Sequence, residues 1–225
     1  MLAIRLPVGE SVLWGRSRCP SCRTALAPWQ LVPVLSWLLL RRRCAACGTA
    51  LSVFYPAMEL AALAVALWSS IALPDPLSIA AGCLLGWMLL VLAAIDWRHL
   101  LLPDILTLPL VVLGLAWRAL DPAQAVADGA AGAVIGFSLL ALVALLYRWL
   151  RGRDGLGLGD AKLFAAAGAW TGHEGIAGVL LVGSLAGLVV ALALRIAGRH
   201  RGEPLPFGPP LAAAFWLVWL YGSPI

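Results

Sequence analysis

SIAAGCLLGWMLLVLAAI, residues 78–95, runs for eighteen residues without a charged side chain and stops at Asp96. A helix rising ~1.5 Å per residue makes this stretch ~27 Å long, close to the ~30 Å hydrocarbon thickness of a bilayer. Such a helix has no polar face to turn to water, so the run reads as a membrane span. Working outward, further apolar runs occupy 57–73, 105–120, 125–149, 161–171, 175–197 and 207–222. The run at 161–171 is short, and is expected either to dip into the membrane or to lengthen through its flanks. Of the 225 residues 62% are apolar and 12% charged, against ~25% charged in soluble proteins. These proportions exclude a soluble domain and a disordered chain alike. The expectation is an all-α polytopic membrane protein with about seven transmembrane segments.

Residues 1–56 differ from the rest. They hold 7 of the 16 basic residues and four of the five cysteines, and their one apolar stretch, LVPVLSWLLL at 31–40, is half a span long and broken by Pro33. This stretch reads as domain core or as an interfacial segment. Cys19-Pro-Ser-Cys22 and Cys44-Ala-Ala-Cys47 form two CxxC knuckles separated by 21 residues. Two such knuckles can turn four thiolates toward one point, the tetrahedral sulfur set that suits structural zinc. A domain this small also needs a staple. Residues 1–56 are therefore expected to be a cytoplasmic, zinc-ribbon-like tetracysteine domain, with residues 57–225 embedded in the membrane. A disulfide pair or a redox CxxC is the rival reading.

Charge placement sets the orientation. With residues 1–56 inside, seven alternating segments put 96–104, 147–162 and 195–203 on the same side, and these regions hold every Lys and Arg except Arg118. That is the positive-inside pattern, and it explains the net charge of +5 without nucleic acid. Within the spans, the pairs Gly82/Gly86, Gly132/Gly136, Gly168/Gly172 and Gly183/Gly187 recur at a spacing that lets helix backbones approach. No fixed-period repeat is expected.

Carboxylates beside spans are expensive and need a reason. Asp96 ends an apolar run, where a negative charge opposes the helix dipole. Asp160 follows Gly155-Leu-Gly157-Leu-Gly159, a backbone more flexible than a simple cap requires. Asp104, after Pro103, is expected to be an ordinary N-cap. The topology places Asp96 and Asp160 on one membrane face. Two acids in a partly desolvated site hold one proton between them, as aspartic proteases do. Proteolysis and a proton or ion relay both fit such a pair.

A family resemblance covers the chain from about Arg5 onward. AAIDWRHLLLPDILTLPL at 93–110 resembles the first signature of the type IV prepilin leader peptidases, and GLGLGDAKLFAAAGAWTG at 155–172 resembles their second, with its GxGD motif. LPFGPPLA at 205–212 is similar to a third, and CPSC…CAAC with SWLLLRRRC and YPAMEL at 55–60 matches their cysteine domain. The resemblance implies a membrane aspartic endopeptidase of the bacterial inner membrane. It would cut the leader from type IV prepilins and type II secretion pseudopilins after a Gly at the cytoplasmic face. Asp96 and Asp160 would be the catalytic pair, with Cys19, Cys22, Cys44 and Cys47 as the zinc ligands. Many members then methylate the new α-amino group with S-adenosylmethionine. Two departures stand in the half associated with methylation. The chain begins at MLAIRLP, where members usually have a preceding span, and Arg41-Arg42-Arg43 replaces their Arg-Gly-Arg/Lys.

The remaining residues read more plainly. Lys162 is expected to be an interfacial anchor or to tune Asp160, and Glu59 to buttress the junction between the two regions. His99, His173 and His200 read as solvated or interfacial, Cys83 as a small buried hydrophobe. The eleven tryptophans lie mainly toward span ends, as interfacial belts do. Prepilins, pseudopilins and membrane lipid are the expected partners. A carboxylate-lined transporter or channel with a zinc-binding partner domain is the competing function.

Overall fold

The computed structural model describes residues 17–120, 125–152, 155–198 and 205–223. His200, the opening MLAIRLP segment and much of the loop 195–203 lie outside these residues. Among the described residues the regular structure is helical, with seven α-helices: α1 (Leu35–Leu39), α2 (Phe54–Ala72), α3 (Pro76–His99), α4 (Asp104–Leu120), α5 (Val126–Arg151), α6 (Leu158–Ile196) and α7 (Gly208–Tyr221). Four of them, α2, α3, α5 and α6, are long and apolar enough to cross a membrane. On α2, Leu60, Leu63, Leu67 and Ile71 recur at helical spacing and are all exposed. Apolar side chains that face outward as a continuous stripe belong against lipid. The chain is a multi-pass membrane protein.

Local signals fix the helix ends. Asp75 caps α3 by accepting from the Leu77 and Ser78 amides at 3.0 and 2.9 Å, and Pro76 occupies the first turn. Leu100 ends the same helix in the left-handed region (φ 51°), and Gly152 ends α5 in the same way (φ 67°). The stretch 31–40 spans nothing. It folds as a 3-10 turn at Pro28–Leu31 followed by the short α1. Leu31, Val32, Leu35, Leu38 and Leu39 are left exposed on its surface.

The fifth and sixth apolar runs are joined within α6 at Gly172, whose φ of 76° and ψ of −179° no helix contains. Contacts on either side show that the chain reverses there. Trp170 packs on Trp219 near the end of α7, whereas Gly187 lies beside Phe207 and Pro210 at its start. The limb 158–171 therefore runs parallel to α7, and the limb 173–196 antiparallel. At ~1.5 Å per residue, the first limb is only ~21 Å long. The conformation at Gly172 is essentially restricted to glycine. A Cβ there would also meet the Arg118 guanidinium at 3.2 Å.

Around this reversal sits the one basic residue that breaks the positive-inside pattern. Arg118 is 7% exposed and pairs with Asp128 at 2.5 Å. It also donates to the Ala125 and Trp170 carbonyls. His173 Nδ1 contacts the second Asp128 oxygen, so His173 is not simply solvated. Arg118 is thus neutralised inside the fold rather than facing solvent as a topology signal.

The first limb of α6 is the centre of the bundle. Leu163, Phe164, Ala166, Ala167 and Ala169 are fully buried. A Cβ on Gly132 would come within 2.6 Å of the Gly168 carbonyl, so α5 and α6 meet backbone to backbone. By contrast, Gly187 has ordinary contacts at 3.5 Å. Gly172→Ala should therefore destabilise by ~1–3 kcal/mol, and Gly187→Ala should be close to neutral. Thermal unfolding of the two variants in detergent checks this, and equal melting temperatures would contradict the assigned reversal.

Candidate active site and metal centre

Asp96 lies on the last turn of α3 and is 5% exposed, and Asp160 lies on the first turn of α6 and is 8% exposed. Asp96 is held at the start of α7, and the limb that begins with Asp160 runs parallel to α7, so the fold brings both acids to one end of the bundle. Asp96 Oδ2 accepts the Gly208 amide at 2.9 Å. Gly208 opens α7 between Phe207 and Pro209, so this hydrogen bond fixes the α7 start onto the end of α3. A Cβ on Gly208 would lie 2.6 Å from the same carboxylate oxygen, so the backbone approaches as closely as it can. Asp160 differs: its Oδ1 is buried with no hydrogen-bond partner. A buried acid oxygen without a partner is costly, and such groups collect at sites of chemistry.

The neighbouring charges take other roles. Asp104 is the first residue of α4, and it is the Pro103 carbonyl that accepts from the amides of Leu106 and Thr107. The Asp104 carboxylate instead accepts from Lys162 Nζ at 2.6 Å. The expected N-cap is therefore an ion pair, and the lysine of the GxGD stretch is engaged by Asp104. This bridge joins α4 to α6 next to the acids. Arg98, two residues past Asp96, stacks over the Phe54 ring at 3.6 Å.

The four cysteines of the knuckles converge. Their sulfurs all lie within 4.8 Å of one another, with Cys19–Cys47 at 3.9 Å and Cys22–Cys44 at 4.0 Å. A tetrahedral site with ~2.3 Å metal–sulfur bonds has sulfurs ~3.8 Å apart. The cluster can hold a metal ion. All four are free thiols, at nearly twice the ~2.05 Å of a disulfide.

The two knuckles are also copies of each other, a repeat the sequence reading did not expect. Arg18-Cys-Pro-Ser-Cys-Arg-Thr-Ala25 and Arg43-Cys-Ala-Ala-Cys-Gly-Thr-Ala50 share residue order, and each closes with a bridge between its first and last residue. Arg23 (φ 57°) and Gly48 (φ 70°) make the same left-handed turn. The Thr24 and Thr49 hydroxyls lie 3.3 Å from the sulfurs of Cys22 and Cys47. With the Thr49 amide, the Thr49 hydroxyl holds the Cys47 thiol down to about 6, and Thr24 lowers Cys22 in the same way. At Cys19 the Cys22 amide favours the thiolate, but burial and the neighbouring sulfurs outweigh it and push the thiol up.

Comparison with known proteins agrees with this geometry. A family model described as the type IV leader peptidase family matches residues 83–192, and one for the bacterial peptidase A24 N-terminal domain matches residues 1–73. The chain is 38% identical to a prepilin leader peptidase/N-methyltransferase of Dichelobacter nodosus, over 93% of this chain and 72% of that protein. A protein of the same name from Burkholderia pseudomallei strain K96243 is 41% identical over 97% of this chain and 71% of its own length. The chain belongs to the type IV leader peptidase family. No solved structure matches it. Within this family model fall Asp96, Asp104, Asp160 and Lys162, whereas all four clustered cysteines fall within the N-terminal one.

Replacing Cys19 and Cys22 together by Ser should strip the metal, with near-zero content by mass spectrometry of the purified chain. One metal per chain surviving both changes would exclude the four-sulfur site. Thr49→Val should return Cys47 toward its ordinary range near 9. Each pH unit below the thiol's pKa weakens thiolate binding about tenfold. The loss of affinity should thus be greatest at and below pH ~6, shrink about tenfold per unit from pH 6 to 9 and vanish above ~9, as read by competition with a chromophoric chelator.

Proposed function

We propose that this chain is a membrane aspartic endopeptidase with Asp96 and Asp160 as its catalytic pair. It removes the N-terminal leader of type IV prepilins and type II secretion pseudopilins after a Gly at the cytoplasmic membrane face. The observation that carries this reading is the burial of the two acids together, one hydrogen-bonded by Gly208 and the other with an oxygen free. Two carboxyls in such a site share one proton. Asp96, oriented by the Gly208 amide, is suited to stay ionised and take a proton from the attacking water. Asp160, in its protonated form, can donate a hydrogen bond to the scissile carbonyl. The relatives' names favour this chemistry over a carboxylate-lined transporter.

The rest of the assignment follows from the same reading. Residues 1–56 form a cytoplasmic domain stapled by zinc on Cys19, Cys22, Cys44 and Cys47, and residues 57–225 form the peptidase domain in the bacterial inner membrane. Zinc suits a closed site of four thiolates and lends its binding energy to folding. The exposed apolar surface of residues 31–39, followed by Arg41, Arg42 and Arg43, suits a seat against anionic lipid. On this reading the domain lies on the membrane face of the acids, where the leader is cut. After cleavage the chain methylates the new α-amino group, with S-adenosylmethionine as the methyl source.

Asp96→Asn and Asp160→Asn should each reduce prepilin cleavage by at least ~10³-fold, and the double change should be no worse than either, because the two acids act as a unit. Asp104→Asn should be mild, since an exposed ion pair is worth ~0–1 kcal/mol. Gly208→Ala should cost ~10–100-fold by displacing the Asp96 carboxylate. Near-normal processing by either Asn variant, folded and in membranes, would remove the pair from the mechanism.

A further inference from the structure

Between the cysteine domain and the first two long helices lies a cavity of about 420 Å³ that the peptidase site does not use. Its wall is mainly apolar, and it carries Trp37, Phe54, Tyr55, Met58, Glu59 and Val91. Two polar groups stand out. Trp37 Nε1 is buried with no hydrogen-bond partner. Glu59 binds the Val34 amide through Oε2 at 2.8 Å, and so is held against the cysteine domain with its charge in the cavity wall. The volume falls in the ~300–1,000 Å³ of small-molecule sites, which are apolar with a few placed polar groups.

The cavity wall packs against the part of α3 that leads to Asp96. Phe54, Met58 and Val91 line it, and the same three residues pack on Ala94 and Ile95, immediately before Asp96 in α3. On the proposed peptidase reading, an α-amine released at Asp96 is set free next along α3 from the residues this wall packs against. A methyl donor serving that amine needs a site that takes a flat heterocycle and a positive sulfur, open toward Asp96. Aromatic rings supply stacking surface for the first. A carboxylate and an aromatic face together suit the second.

We propose that this cavity is the S-adenosylmethionine site, with Trp37 Nε1 donating to the ligand and Glu59 facing its sulfonium. The inference rests on the methyltransferase half of the proposed function. In the transfer the neutral α-amine attacks the methyl carbon, the carbon–sulfur bond breaks as the carbon–nitrogen bond forms, and S-adenosylhomocysteine leaves as a neutral thioether. The proton of the resulting ammonium goes to water.

The two ligands differ in charge at one atom, which makes a clean test. Calorimetry on the purified full chain should detect binding of both S-adenosylmethionine and S-adenosylhomocysteine. Glu59→Gln keeps an acceptor for the Val34 amide but removes the charge. It should weaken the sulfonium ligand about tenfold and leave the thioether nearly unchanged, as loss of one charge-assisted contact would. Trp37→Phe keeps the ring and loses the donor, so both ligands should weaken. Metal content and melting temperature report whether each variant folds. Ultraviolet cross-linking of methyl-labelled donor to the unaltered chain needs no variant, and should mark peptides containing Trp37 or Tyr55. Absence of binding at millimolar ligand, equal weakening of both ligands by Glu59→Gln, or label elsewhere would overturn the assignment. Prepilin cleavage by the unaltered chain, followed in parallel, separates failure of this cavity from failure of the peptidase reading.

Discussion

The limb of α6 between Asp160 and Gly172 is the constraint from which the bundle follows. Almost every residue from Asp160 to Trp170 is buried, and the stretch is built largely of alanine and glycine. In lipid no hydrophobic drive brings helices together, so close contact between small residues must do it. The Gly132–Gly168 approach brings α5 in, and Trp170 brings in α4 by donating to the Leu110 carbonyl at 2.8 Å. The same ring stacks on Trp117 and meets Trp219, so α7 is gathered at the same level. A large residue along this limb would push three neighbours away at once.

That central position also sets where chemistry is possible. The limb is short, and so is α7, and the two run parallel from the same end. Their starts carry Asp160 and Gly208, and Gly208 holds Asp96. Both acids therefore sit where two short helices begin among longer ones, partly withdrawn from solvent yet near the surface. Protein packing supplies the burial, and the site keeps an unpaired oxygen on Asp160 as its unfinished bond. At the other end, Gly172 reverses the chain under the Arg118–Asp128 pair. One end of the limb is closed by an ion pair, and the other carries the two buried acids.

Much of this was legible in the residues. Apolar run lengths gave the helices, CxxC spacing gave the sulfur cluster, and the positions of Asp96 and Asp160 marked them as acids needing a reason. The rest depends on partners far away in the chain. Nothing local says that Gly208 will donate to Asp96, or that Lys162 will find Asp104 rather than Asp160, because those contacts exist only once α7 and α4 have docked. Arg118 reads as an exception to a topology rule until Asp128 and the Trp170 carbonyl are seen around it. The knuckle repeat is different. Arg-Cys-x-x-Cys-x-Thr-Ala occurs twice in plain order, and two short copies do not make a fixed-period repeat.

The departure at Arg41-Arg42-Arg43 has a physical reading as well. Arg41 (φ 49°) and Arg42 (φ 64°) both adopt the left-handed region, which costs an ordinary residue ~1–2 kcal/mol and glycine almost nothing. The resemblance to Arg-Gly-Arg/Lys sets a glycine at the position of Arg42, and the backbone here takes the left-handed turn that glycine favours. Part of that strain is offset nearby: the Arg42 guanidinium lies over the Trp37 ring at 5.4 Å, a contact worth ~0.5–1 kcal/mol at an exposed site. Trp37 is the residue whose indole nitrogen is buried without a partner in the cavity wall. The substitution that looks most damaging to the cysteine domain thus preserves its backbone path and braces the ring that faces the cavity.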